Sequence, residues 1–225
     1  AFEQYKAQRE ETPEAIRLSV PIIKEIIRAY RIPILEVAGY EADDVIGTLA
    51  TEAGRQGIIT YMMTPDKDYG QLVSDKVFMY RPKHTGGFEV MGVDEVKAKF
   101  DIQSPAQVID MLGLMGDSSD NIPGCPGVGE KTAQKLIAEF GSIENLLEHT
   151  DQLKGALKTK VETNREMITF SKFLATIKID VPIQLDMDSL VREQADEDSL
   201  RQIFEELEFR TLIDRVLKRS EEHTS

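Results

Sequence analysis

Seven carboxylates fall in three short clusters: Glu41-Ala-Asp43-Asp44, Asp66-Lys67-Asp68 and Asp117-Ser-Ser-Asp120. Each cluster lies beside an apolar run, where a regular element begins or ends. Two bare carboxylates about 4 Å apart repel by roughly 4 kcal/mol at an effective dielectric of about 20. If the three clusters meet in space, the site needs cations. An all-oxygen donor set calls for Mg²⁺ or Mn²⁺ rather than zinc.

The elements around these acids show how they could meet. Apolar Ile16, Val20, Ile23, Ile26 and Ile27 recur at spacings of three and four, which predicts an amphipathic helix over 14–30, with Pro13 suited to its start. Residues 32–37 read as a short buried strand that Gly39 ends. A helix restarts at Glu41, with an apolar stripe at Val45, Ile46, Leu49, Ala50 and Ala53. Residues 58–64 form a continuous β-prone run, predicting a strand buried on both faces. Strand, helix, strand is the pattern of a parallel α/β sheet, in which ligands bind at the carboxyl ends of the strands. The first two acidic clusters lie at such ends, so topology would bring them together.

Residues 77–80 and 88–91 flank His84-Thr-Gly-Gly87 and read as a β-hairpin. From Pro105 onward the pattern is helical, with helices over 106–115, 130–140, 144–149, 155–176 and 196–218 and a polar tail at 220–225. The third acidic cluster follows the first of these helices.

A second signal is Gly124-Cys-Pro-Gly127-Val128-Gly129-Glu-Lys131-Thr132, glycines placed just ahead of a helix that also carries Lys135. Glycine lets a backbone turn sharply and approach a ligand closely. A helix start then offers free N–H groups to a phosphate. Glu130 interrupts the P-loop spacing and the preceding element is a helix, so a helix-hairpin-helix that grips a nucleic-acid backbone is the better reading.

Composition sets the outer limits. The chain has 225 residues, with 41% apolar and 30% charged content, and reads as a soluble globular protein with no membrane span. The single Cys125 excludes an internal disulfide or a cysteine-rich metal site and fits a reducing cytoplasm. A net charge of −13 argues against a generic nucleic-acid binder, unless much of the acid serves a metal site.

Taken together, Glu41-Ala-Asp-Asp-Val, Thr64-Pro-Asp-Lys-Asp and the run from Met115 to Ala133 resemble the 5′-nuclease domain of bacterial DNA polymerase I, within the flap endonuclease family. The resemblance runs from Tyr5 to Phe209. It implies a mainly parallel α/β sheet of PIN-like form, a helical arch over the site, and a helical region with the hairpin. On this reading residues 1–104 are the partial α/β core with the arch segment, 105–219 the helical DNA-binding region, and 220–225 a disordered tail. The implied activity is 5′–3′ exonuclease and 5′-flap cleavage of DNA with two Mg²⁺ or Mn²⁺ ions. Glu41, Asp43, Asp44, Asp66, Asp68, Asp117 and Asp120 match the family's metal ligands. Lys6 and Arg9 match arch residues that contact the scissile phosphate or the flap, and Tyr5 could stack on a base. Lys67, Gly124, Gly127, Val128, Gly129, Lys131, Thr132 and Lys135 would hold DNA, and in the family the hairpin carbonyls bind K⁺. The implied partners are flap, nicked or 5′-ended duplex DNA and a polymerase domain in the same parent chain. The expected state is a monomer in a bacterial cytoplasm, at the nucleoid.

The family pattern also has an opening strand with an Asp-Gly and a second Asp shortly before the arch. Neither is in this sequence, which therefore reads as a chain without that first strand; a non-catalytic DNA-binding fragment is the alternative. Asp66-Lys-Asp68 by itself also suits an aspartyl-phosphate phosphatase, but Gly70 stands where such enzymes want Thr or Val. The lysines at 154, 158 and 160 suit either a duplex backbone or a solvated face.

Overall fold

A computed structural model describes residues 6–7, 10–83 and 85–221, the last four of these by backbone only. The elements in chain order are α1 (Glu14–Ala29), α2 (Ala42–Arg55), β1 (Thr60–Met63), β2 (Val77–Pro82), β3 (Phe88–Met91), α3 (Val93–Phe100), α4 (Val108–Met115), α5 (Glu130–Phe140), α6 (Ile143–Glu148), α7 (Gly155–Thr163), α8 (Arg165–Ala175), α9 (Glu197–Glu206) and α10 (Arg210–Glu221). Short 3₁₀ turns occupy Lys67–Leu72, Pro105–Gln107 and Thr150–Gln152. This is the expected mixed α/β fold with a helical carboxyl-terminal region. Among the described residues no helix is long and apolar enough to cross a membrane.

The chain divides into two compact units, Ala1–Arg9 with Val37–Leu185, and Glu10–Glu36 with Asp186–Ser225. The first carries the sheet and α2–α8. Its sheet has the order β1-β2-β3, with β1 parallel to β2 and β2 antiparallel to β3. The hairpin stands where the sequence placed it. β1 is buried on one face only: Met62 points inward, while Tyr61 and Met63 are 57% and 73% exposed. The run 58–64 is apolar on both sides, and the side expected to be covered is open. Tyr61 finds partial cover by stacking on Phe78, with ring centroids 5.6 Å apart.

α4 is the axis of this unit. Val108, Met111, Leu112 and Leu114 have essentially no exposure, so the helix is buried around most of its circumference, with Asp110 as its one buried acid. Each such side chain contributes roughly 1.5–3 kcal/mol on burial. At Gly113 a Cβ would come within 2.7 Å of Ile143 and 2.9 Å of Lys172, so α6 and α8 press on α4 there. Charge locks the same joint. Lys172 donates to the buried Asp110 at 2.6 Å and to Glu144 at 2.8 Å, and Asp110 accepts from the Ile143 N–H at 2.9 Å.

In the second unit α1 lays Ile26 and Ala29 against Leu200 and Phe204 of α9 and Leu217 of α10. Asp196 caps α9 through the Ser199 N–H.

Three further sequence expectations need correction. Residues 32–37 form no strand; Pro33 lacks a donor, and Ile32 and Leu35 are exposed. The helix over 155–176 breaks at Asn164, which leaves the helical region of φ/ψ space at φ −108°, ψ 21°. The helix over 196–218 breaks near Glu208, whose φ is +56°. α3 was not foreseen, although Val93, Val96 and Phe100 carry a helical spacing. Of the predicted tail, residues 222–225 lie outside the described residues.

Candidate metal and nucleic-acid site

The first acidic cluster begins α2. Glu41 is its N-cap, and the Glu41 N–H donates to Asp44 Oδ2 at 3.4 Å. Acids at a helix start are favoured by the free N–H groups there. The neighbours hold each side chain apart: Asp43 accepts from the Tyr69 hydroxyl at 2.7 Å, and Asp44 Oδ1 from the Lys178 N–H at 3.0 Å. Burial first, then the bond to Asp43, raises the Tyr69 phenol well above its ordinary pKa. Asp43 therefore faces a firm, neutral donor.

The second cluster follows β1. Asp66 caps the 3₁₀ turn Lys67–Leu72 by accepting from the Asp68 N–H at 3.0 Å. Asp68 points into the protein, and its Oδ1 is buried with no hydrogen-bond partner. Burial, and then the charge of Asp66, push its carboxyl up to about 7. Asp68 is thus the acid least satisfied by the protein itself.

The third cluster sits in a tight loop after α4. Asp117 and Ile122 exchange both backbone hydrogen bonds, at 2.9 and 2.8 Å, and the loop between them presents Asp120. Asp117 is buried. It accepts from the Ser119 N–H at 2.8 Å and from Lys67 Nζ at 2.5 Å. Burial works against both ions of that pair. The contact outweighs it, lowering the Asp117 pKa and raising that of Lys67.

The three clusters converge on two adjoining clefts. One, of about 190 Å³, is lined by Glu41, Asp43, Asp44, Asp68 and Asp120, with Phe173 and Lys178 also lining it. The other, of about 480 Å³, is lined by Asp66, Lys67, Asp68, Asp117 and Asp120 together with Arg81 and Lys99. Asp68 and Asp120 belong to both. Among the described residues, no three of the acids stand close enough to form a ready-made metal nest. Repulsion and counter-charge explain this. Lys6 Nζ lies 2.7 Å from Glu41 and 3.8 Å from Asp120, and Lys67 holds Asp117. The two lysines hold the places of cations beside the acids. The chemistry still suits a hard divalent ion: every donor is a carboxylate oxygen, and one, Asp68 Oδ1, is buried and unclaimed.

The hairpin is tied directly to this site. Gly116 (φ +74°) ends α4 and meets Gly124 (φ +63°) backbone to backbone; a Cβ on Gly124 would lie 2.3 Å from the Gly116 nitrogen. Cys125 N–H donates to Leu114 at 2.7 Å, and Gly124 N–H to the buried Ser171 hydroxyl at 2.9 Å. Val128 is buried, while Gly127, Gly129, Lys131 and Lys135 are exposed. Gly129 is the N-cap of α5 and gives it no side-chain cap, and Thr132 N–H bonds back to the Gly129 carbonyl. Lys160 Nζ lies 3.4 Å from the Gly127 carbonyl, so one of the three lysines from the 154–160 segment reaches the hairpin.

Of the residues proposed from sequence, Lys67 and all seven acids line the two clefts, Lys6 pairs with two of those acids, Glu41 and Asp120, and the hairpin adjoins them through Gly116. Tyr5 and Arg9 lie outside the described residues. Sequence reasoning missed Tyr69, Arg81, Lys99, Ser171 and Phe173. Tyr69 follows the second acidic cluster directly, but a core tyrosine there looks the same; the others lie far from any motif.

Family models match along most of the chain: "5′-3′ exonuclease, N-terminal resolvase-like domain" over residues 1–101, and "5′-3′ exonuclease, C-terminal SAM fold" over 103–198. DNA polymerase I of Bacillus caldotenax is 40% identical over 99% of this chain, and that of Bacillus subtilis 43% over 96%. The chain spans about a quarter of the length of these relatives, 25% and 24%. Among solved structures, bacteriophage T5 5′-exonuclease with divalent metal ions (zinc) bound aligns with a TM-score of 0.64 at 21% identity, covering 91% of this chain and 76% of that one. The T5 flap endonuclease in a pseudo-enzyme-product complex with DNA and metal ions gives 0.63 at 22%, covering 91% and 77%. The catalytic core of Rad2 in complex with DNA substrate gives 0.58 at 17%, covering 88% and 66%. At these identities the likeness is one of fold. With both parts of the family matched in order, the chain belongs to the 5′–3′ exonuclease family, as represented by the 5′–3′ exonuclease domain of bacterial DNA polymerase I.

Proposed function

We propose that this chain cuts DNA at 5′ ends and 5′ flaps by metal-dependent phosphodiester hydrolysis, as the nuclease part of a longer polymerase. The observation that carries the reading is the meeting of three sequence-distant acidic clusters on two clefts that share Asp68 and Asp120. The α/β core with the arch segment, to residue 104, would carry the chemistry, and the helical region 105–219 would hold the duplex.

Glu41, Asp43, Asp44, Asp66, Asp68, Asp117 and Asp120 would hold two divalent ions, Mg²⁺ or Mn²⁺. When bound, such ions activate water and offset charge on the leaving oxygen of an in-line displacement. The chain's own groups do the rest. Tyr69 and the Lys178 N–H fix Asp43 and Asp44 in place. Lys6, close to Glu41 and Asp120, can turn from them to a phosphate and stabilise charge there, and Arg9 would act with it. Tyr5 would stack on a base. Lys67 keeps Asp117 ionised. The hairpin from Gly124 to Gly129, with Lys131, Thr132 and Lys135, would grip duplex phosphates without reading sequence. A K⁺ ion on the hairpin carbonyls completes the proposal. No side chain need act as a covalent nucleophile.

The test is cleavage of a 5′-labelled flap duplex with Mg²⁺ and with EDTA, alongside Asp66→Asn and Asp117→Asn. Metal-dependent cutting near the flap junction, lost in both variants, is expected. Undiminished cutting by both variants would refute the assignment. A second reading, DNA holding without catalysis, has one observation in its favour: the hairpin is fully built, while the acids are held apart by Tyr69, Lys6 and Lys67. Salt-sensitive flap binding in Ca²⁺ with no cutting at any Mg²⁺ concentration would select it.

A further inference from the structure

The larger cleft holds cations that acid neutralisation does not use. Lys67 is committed to Asp117, but Arg81 and Lys99 line the same cleft. Arg81 leaves the sheet at the end of β2, opposite Glu89 of β3. Its buried Nε is 3.1 Å from Glu89 Oε1 yet makes no hydrogen bond, and among the described residues Nη1 donates only to the Met91 sulfur, at 3.5 Å. Lys99 is exposed near the end of α3, and no carboxylate lies within ion-pair distance of it among the described residues. Its ammonium rests over the Phe100 ring, 5.6 Å from the centroid. Partial burial of its ammonium, and then the charge of Arg81, hold its pKa below the ordinary lysine value. Two incompletely paired cations facing one cleft are relieved by an anion between them. The cleft adjoins the acid-lined one through Asp68 and Asp120, so a strand passing from one to the other brings a phosphate to this place.

We propose that Arg81 and Lys99 clamp a backbone phosphate of the DNA strand, next to the phosphate that is cut. The inference rests on the nuclease reading above and adds two positioning residues to it. The clamp reads charge and spacing, not base identity.

The test measures binding of a flap duplex in Ca²⁺ over a range of salt, and then KM and kcat in Mg²⁺, for the unaltered chain, Arg81→Gln, Lys99→Gln and the double variant. Each substitution should weaken binding, and the double variant should flatten the plot of log affinity against log salt by about 0.7–0.9 for the one phosphate released, each single variant by only part of that. The double variant should bind roughly tenfold more weakly. KM should rise while kcat changes little, and Lys99→Arg and Arg81→Lys should restore binding, which a folding defect would not allow. Unchanged affinity and slope in the double variant, with the unaltered chain binding and cutting normally, would overturn the clamp alone. A fall in kcat at constant KM would also overturn it. If the unaltered chain neither binds nor cuts the flap, the nuclease reading falls and the clamp with it.

Discussion

Asp68→Asn should stabilise the metal-free protein at pH 8 while weakening its response to Mg²⁺. The carboxyl is buried, carries an oxygen without a partner, and stands beside Asp66. Raising its pKa from the ordinary 3.8 to about 7 corresponds to about 4 kcal/mol of preference for the neutral form in the folded state. Water at the open side of the cleft reduces the share visible in stability to about 2 kcal/mol. The folded pKa lies above the unfolded one, so the penalty is absent below about pH 4, grows between about pH 4 and 7, and is complete above that. An amide carries no charge and escapes it. Urea unfolding in EDTA across this range should therefore show the variant near wild-type stability at pH 4 and about 2 kcal/mol more stable at pH 8. Added Mg²⁺ should raise the stability of the wild type and much less that of the variant. A variant no more stable than wild type at pH 8, or one equally stabilised by Mg²⁺, would refute the reasoning.

Lys172→Met leaves the buried Asp110 without its cation and should cost about 3 kcal/mol in urea unfolding, because α4, α6 and α8 meet at that charge. Gly124→Ala places a Cβ on the Gly116 backbone at a positive φ, so it should destabilise by about 3 kcal/mol or more and weaken duplex binding. Gly129→Ala meets nothing within 4 Å at a negative φ and should change stability by less than about 1 kcal/mol. Ser171→Ala strands the Gly124 N–H and should cost about 1–3 kcal/mol, read from the midpoint of thermal unfolding.

The acidic clusters were legible because each pairs a chemically costly residue type with an element boundary, and boundaries in an α/β pattern point to a common edge. The hairpin was legible because its glycines are used for close approach: Gly116 and Gly124 meet where no side chain fits. What could not be read was whatever depends on tertiary partners. Periodicity does not reveal that Asn164 and Glu208 break helices, since the apolar spacing continues past both. The apolar run at 32–37 fits a strand but finds no neighbour to pair with. Arg81 and Lys99 come from a hairpin and a helix with no motif of their own and reach the site only through folding. Nor does sequence show that Lys6 and Lys67 stand among the acids, because a lysine near a carboxylate is ordinary on any surface.

The most direct measurement of the central claim, that the three clusters act together on divalent cations, is a Mn²⁺ titration followed by electron paramagnetic resonance for the wild type, Asp44→Asn, Asp68→Asn and Asp117→Asn. One substitution then falls in each cluster, and free and bound Mn²⁺ are counted without any need for turnover. Weakened Mn²⁺ binding in all three variants is the predicted result. Binding unchanged in any one of them would contradict the account, since that cluster would then take no part in holding the ions.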